Sequence, residues 1–144
     1  MKDQIKYREG YKYQLAEDYS IITDITGYYV RNQFIHLEEN GKLTILSGYA
    51  WDGPSGPTID TKNSMRGSLV HDVLYQLIRS NLLTMVERGK VDLLFKRILL
   101  EDGMSNFRAS YFYDAVNLFG KEFADPINNK KIIIAPRSTN EKKE

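Results

Sequence analysis

Hydrophobic positions change their period part-way along the chain. Before residue 50 they cluster in short runs or alternate with polar residues. Tyr11 to Thr23 is rich in Tyr and Ile and broken by charges. Tyr28 to Glu38 alternates large and polar residues, as in Tyr29, Asn32, Phe34 and His36. Glu39-Asn40-Gly41-Lys42 then leads into Leu43-Thr44-Ile45-Leu46. An Asn-Gly step between two such runs predicts a β-hairpin whose turn residues both tolerate positive φ.

After residue 62 the period becomes 3.6. Ser64 to Ser80 carries apolar residues at 69, 70, 73, 74, 77 and 78, with Asn63 or Ser64 placed to cap the helix start. Val86 to Glu101 repeats the pattern at 91, 94, 95, 98 and 99, and Gly103 is placed to end it. Asn106 to Phe119 predicts a third helix, aromatic on one side and closed by Gly120. Between the two regimes, residues 48–63 form a loop rich in Gly and Pro that holds Trp51, the only tryptophan. The expected fold is α+β: N-terminal antiparallel β-hairpins followed by three α-helices, the first two forming an antiparallel pair. Residues 1–136 read as a single globular domain and 137–144 as a polar flexible tail.

Composition narrows the classes. A chain of 144 residues suits one domain with its own core. It has no cysteine, so neither a disulfide framework nor a thiolate metal site is available, and two histidines disfavour zinc. Twenty basic against nineteen acidic residues leave a net charge of +1, which gives no general attraction to nucleic acid. Met1 to Tyr13 is polar, without the apolar core of an export signal, and no run is long enough to span a membrane. The absence of cysteine suits a reducing cytoplasm and leaves a virus particle or a bacterial periplasm open.

The chemistry-bearing residues concentrate on the first two helices. His71 and Tyr75 share a helix face; His71 lies at the margin of the apolar stripe, half covered and half reachable. Tyr75 and the loop-anchoring Trp51 are expected to be buried, and Asp72 turns to the polar side. Asp92 borders the stripe of the second helix. If residues 81–90 reverse the chain, His71 and Asp92 meet, and an aspartate on one imidazole nitrogen frees the other as a base. Asp52 and Asp72 add carboxylates beside loop carbonyls, a set that suits calcium with its six to eight oxygen ligands. His36, beside Glu38, reads as a cross-strand surface residue. Phe107, Tyr111, Phe112, Tyr113 and Phe119 read as packing residues of the third helix.

Two families resemble this pattern. The loop Gly48-Tyr49-Ala50-Trp51-Asp52-Gly53-Pro54-Ser55-Gly56-Pro57, the helix Ser68-Leu69-Val70-His71-Asp72-Val73-Leu74-Tyr75 and the segment Val91-Asp92-Leu93-Leu94-Phe95 resemble a bacteriophage and prophage domain-of-unknown-function family, numbered 1353. That resemblance implies a phage origin, with a host cytoplasm or a phage virion as the expected location, and names no activity. The same residues resemble the small prokaryotic and fungal secreted phospholipases of the A2 class. This second resemblance implies His71 as general base, Asp92 as its orienting partner and Tyr75 as support. It also implies calcium held by Asp72 with Asp52 and the Gly53 region, and a phospholipid or other small ester as substrate. Those enzymes are disulfide-stapled and mainly helical, whereas this chain has no cysteine and begins with β-structure. A non-enzymatic virion or accessory protein that meets other phage proteins, and a metal-dependent hydrolase of peptide or cell-wall bonds, are the alternatives.

Overall fold

A computed structural model describes residues 5–7, 13–51, 61–125 and 133–135. The N-terminal part is built from short antiparallel strands. Strands β3 (Tyr19–Ile22), β6 (Lys42–Ile45), β5 (Ile35–Leu37) and β4 (Val30–Arg31) lie side by side in that order. Two further ladders have two strands each: β2 (Tyr13–Gln14) pairs with β7 (Ala50–Trp51), and β1 (Ile5–Tyr7) pairs with β8 (Ile133–Ala135). The period of two is plain in the register. Tyr19, Ile45 and Ile35 form one inward row, and Ile21, Leu43, Leu37 and Val30 form the next. Ser20, Thr44, His36 and Arg31 face outward between them.

Two turns differ from the sequence expectation. At Asn40-Gly41 only the glycine has positive φ, at +92°. The Gly41 N–H donates to the Glu38 carbonyl and the Glu38 N–H to that of Lys42, which makes a longer loop with a glycine bulge. Tyr28 to Glu38, read as one run, is itself a hairpin. The Asn32 side-chain carbonyl accepts the N–H groups of Phe34 and Ile35 and folds the chain back between β4 and β5. That turn resets the alternation, so Val30, Ile35 and Leu37 are buried while Tyr29 stands in solvent.

The helical part has four elements where three were expected: α1 (Lys62–Arg79), a single 3-10 turn at Met85–Glu87, α2 (Arg88–Glu101) and α3 (Asn106–Ala124). Thr61, not Asn63 or Ser64, is the N-cap of α1, and the Ser64 hydroxyl accepts its backbone N–H. Helix α1 ends on Asn81 in the left-handed region at φ 61°, with the N–H of Leu82 reaching the Leu77 carbonyl and that of Asn81 reaching Ile78. Gly103 ends α2 by the same device, as expected, with Met104 bonded to Leu99 and Gly103 to Leu100. Gly120 does not end α3, which continues to Ala124.

Helix α1 is central. One core joins the inner sheet face, α1 and Val91, Leu94 and Ile98 of α2; a second joins Phe95 and Leu99 of α2 to Phe112 and Val116 of α3. Polar tips of aromatic side chains stitch the β-part to the helices. Tyr49 donates to Gln76, Trp51 Nε1 to Ser68 Oγ and Tyr28 to Glu87. Tyr19 accepts from Arg66, whose guanidinium also binds Asp102 and Glu101 and is held protonated first by Asp102. Among the described residues no helix is long and apolar enough to cross a membrane.

Candidate active site

The α1–α2 contacts run in opposite chain directions. Arg66 meets Glu101 and Asp102 at one end, while His71 and Tyr75 meet Asp92 towards the other. The helices are therefore antiparallel, and the Asn81 reversal brings together side chains 21 residues apart. His71 Nε2 lies 2.8 Å from Asp92 Oδ1, and the Tyr75 hydroxyl donates to the same oxygen at 2.6 Å. An ionised carboxylate only accepts, so Nε2 carries the proton and donates. In the neutral imidazole the basic nitrogen is then Nδ1.

Burial is the principal departure from expectation. His71, expected at a half-covered margin, is 4 % exposed and Asp92 0 %, while Tyr75, at 1 %, is buried as expected. The stripe was read as if only one partner covered α1. The sheet covers one side and α2 with α3 the other, so a margin position becomes interior. The His71 ring is packed between Tyr75 (4.1 Å between centroids) and Phe95 (4.9 Å). Burial, and next the bond to Asp92, push the Tyr75 phenol well above the usual tyrosine range, while Arg88 opposes that push.

Two contacts reach this group from residues outside the expected dyad, Arg88 and Gly120. Arg88, the first residue of α2, holds Nη1 3.6 Å from Asp92 Oδ2 and donates to the backbone carbonyl of Asn117 on α3. Its four-residue spacing from Asp92 was the available signal. Gly120 explains why α3 runs through a glycine: a Cβ there would collide with the Tyr75 hydroxyl. Glycine inside a helix costs about 1 kcal/mol relative to alanine, so it marks a close approach as often as an end.

The other expected residues divide. Trp51 is 6 % exposed, so it is anchored as expected, with its ring against Tyr13. Asp72 is half-buried on α1 and already engaged. Asp52 and Gly53 lie outside the described residues. Arg66, on the same helix as Asp72, is committed to Asp102, Glu101 and Tyr19. Among the described residues no group of three or more His, Asp or Glu side chains could hold a metal. Asp72 by itself falls far short of a calcium ligand set. Phe107 and Tyr111, expected to pack, are 84 % and 50 % exposed, and Phe112 alone of that trio is buried.

The fold and this constellation define an α+β protein in which an antiparallel helix pair encloses a hydrogen-bonded histidine, aspartate and tyrosine. Residues 28–116 match a family model described as protein of unknown function (DUF1353), and the chain belongs to that family. The matched segment contains His71, Tyr75, Arg88 and Asp92 and stops short of Gly120. No curated protein and no solved structure matches the chain.

Proposed function

We propose that this protein is a phage-encoded hydrolase that resembles phospholipase A2, with His71 as general base towards water and an ester as substrate. The observation that supports this reading is the pair of donors on one buried carboxylate oxygen, from His71 Nε2 and the Tyr75 hydroxyl. Such an arrangement holds one imidazole tautomer and leaves Nδ1 basic. In the proposed step Nδ1 takes a proton from water as the water oxygen attacks the ester carbonyl carbon. Collapse of the tetrahedral adduct breaks the carbon–alkoxide bond, and the proton passes from His71 to the departing alkoxide. Asp92 stabilises the imidazolium between these transfers.

The experiment is hydrolysis of a fluorescent ester phospholipid and of a soluble short-chain ester by the purified protein. Turnover that falls by about 10²–10⁴ in His71→Ala, with the fold retained, is the expected result. Absence of turnover on both esters sinks the reading. Calcium at Asp72, Asp52 and Gly53 belongs to the same proposal. Millimolar calcium should raise the melting temperature of the wild type and not of Asp72→Asn. Identical melts with calcium and with chelator remove calcium from the reading.

Near-complete burial of His71 and Asp92 favours a second reading, a non-enzymatic phage virion or accessory protein that keeps the helix pair as scaffold. In that case His71→Ala unfolds the chain more readily and no ester is cleaved by the wild type.

A further inference from the structure

Asp92 presents its two oxygens unequally. Oδ1 takes both hydrogen bonds, from His71 and Tyr75. Oδ2 is buried and, among the described residues, takes no hydrogen bond; it faces the Arg88 guanidinium at 3.6 Å. A carboxylate turns easily about its last torsion, whose profile is broad and two-fold, so donors on one oxygen alone do not fix its plane. A cation on the second oxygen does. Arg88 is itself tethered, because the same Nη1 donates to the Asn117 carbonyl at 3.2 Å. Its location calls for a reason: a cation in the first turn of a helix opposes the helix dipole, and α2 has no acidic residue there.

We propose that Arg88 is a positioning residue that sets the plane of the Asp92 carboxylate and couples it to α3. With Arg88 in place, Oδ1 stays turned to His71 Nε2 and the imidazole tautomer is held. This assignment rests on reading His71 and Asp92 as a working dyad, but its test does not require turnover.

The test is nitrogen-resolved NMR of the imidazoles in the intact chain. Only two histidines are present, so His36→Gln assigns the His71 signals. In the wild type the His71 Nε2 proton should be observed, with Nδ1 unprotonated. Arg88→Ala should speed exchange of that proton with water by about tenfold and mix the tautomers. Arg88→Lys, which keeps the charge, should recover part of the protection and covers the case in which Arg88→Ala does not fold. Asn117→Ala keeps the backbone carbonyl and should match the wild type. Exchange in Arg88→Ala within twofold of wild type, or Arg88→Lys no better protected than Arg88→Ala, overturns the proposal. A wild type without a protected Nε2 proton overturns it together with the dyad. A protected proton in a protein that cleaves no ester leaves the role of Arg88 standing while the hydrolase reading falls.

Discussion

The outer face of the sheet and the α1–α2 interface each hold one of the chain's two histidines, in opposite surroundings. His36 sits half-buried in the outward row of β5, opposite Arg31 and Thr44, and its Nδ1 lies 3.3 Å from the Arg31 guanidinium. A guanidinium only donates, so that nitrogen accepts and is unprotonated. His71 instead donates to a carboxylate inside the core. The difference lies in the sign of the partner and in the solvent. His36 meets a cationic neighbour on a face where water screens the contact. His71 meets an anionic neighbour inside the core, where water does not screen the contact. Sequence neighbours alone would rank the two alike, since His36 and His71 each lie close to a carboxylate, Glu38 and Asp72, whereas the partners that matter are Arg31 and Asp92.

The comparison can be broken most directly at Asp92. Asp92→Ala removes the acceptor shared by His71 and Tyr75 and strands Arg88. It should cost about 3–5 kcal/mol in denaturant unfolding, as loss of one partner of a buried ion pair does. A cost under about 1 kcal/mol would show the triad to be no better coupled than a surface pair. Gly120→Ala comes next. Helix propensity alone predicts a gain, but the new methyl meets the Tyr75 hydroxyl, and overpacking should leave a net loss of about 1–3 kcal/mol. Tyr75→Phe should relieve part of that loss, so a double-mutant cycle should show coupling of about 0.5 kcal/mol or more. Strict additivity would mean that α3 does not bear on Tyr75.

Alkaline titration probes the same hydroxyl. The Tyr75 pKa is raised in the folded state by burial and by its bond to Asp92. Its contribution is therefore complete below the unfolded tyrosine value near 10 and is lost as pH rises above it. Stability should fall there by about 1.4 kcal/mol per pH unit from this group, and the slope should be shallower by that amount in Tyr75→Phe. Equal slopes would place Tyr75 in water. The smallest effect belongs to the sheet: His36→Ala should stay within about 0.5 kcal/mol of wild type, which a standard urea titration can check.

Much of this was legible because helical periodicity survives tertiary packing. The stripe at 69, 70, 73, 74, 77 and 78 and the stripe from 91 to 99 located α1 and α2, and their reversal brought His71 to Asp92. What remained hidden depends on third parties. No periodicity in α1 alone reveals that two layers cover it, so His71 looked half-exposed. Gly120 carries the same local signal as Gly103; only Tyr75, 45 positions away, makes one a close approach and the other a helix end. The split of residues 28–38 into two strands turned on one amide side chain, Asn32. Phe107 and Tyr111 repeat at helical spacing like core residues, yet no described element covers either fully. Arg88 was visible as a charge four residues from Asp92 but unremarkable without knowledge that Asp92 is buried.

The left-handed Asn81 has a kinetic corollary. Because the chain turns back there, among the described residues the side chains in polar contact with Asp92 fall between residues 71 and 92. Closing so short a loop costs little chain entropy. Native order in this segment is expected to precede docking of the sheet, whose edge strand β3 must wait for β6. Substitutions around Asp92 should then slow refolding more than they hasten unfolding, and those in β3 should do the reverse. Stopped-flow chevrons of Asp92→Asn and Ile21→Val would reveal that order, and equal effects on both limbs would erase it. The polar cluster, usually regarded as an embellishment on a finished core, would on this account be among the first parts of the molecule to exist.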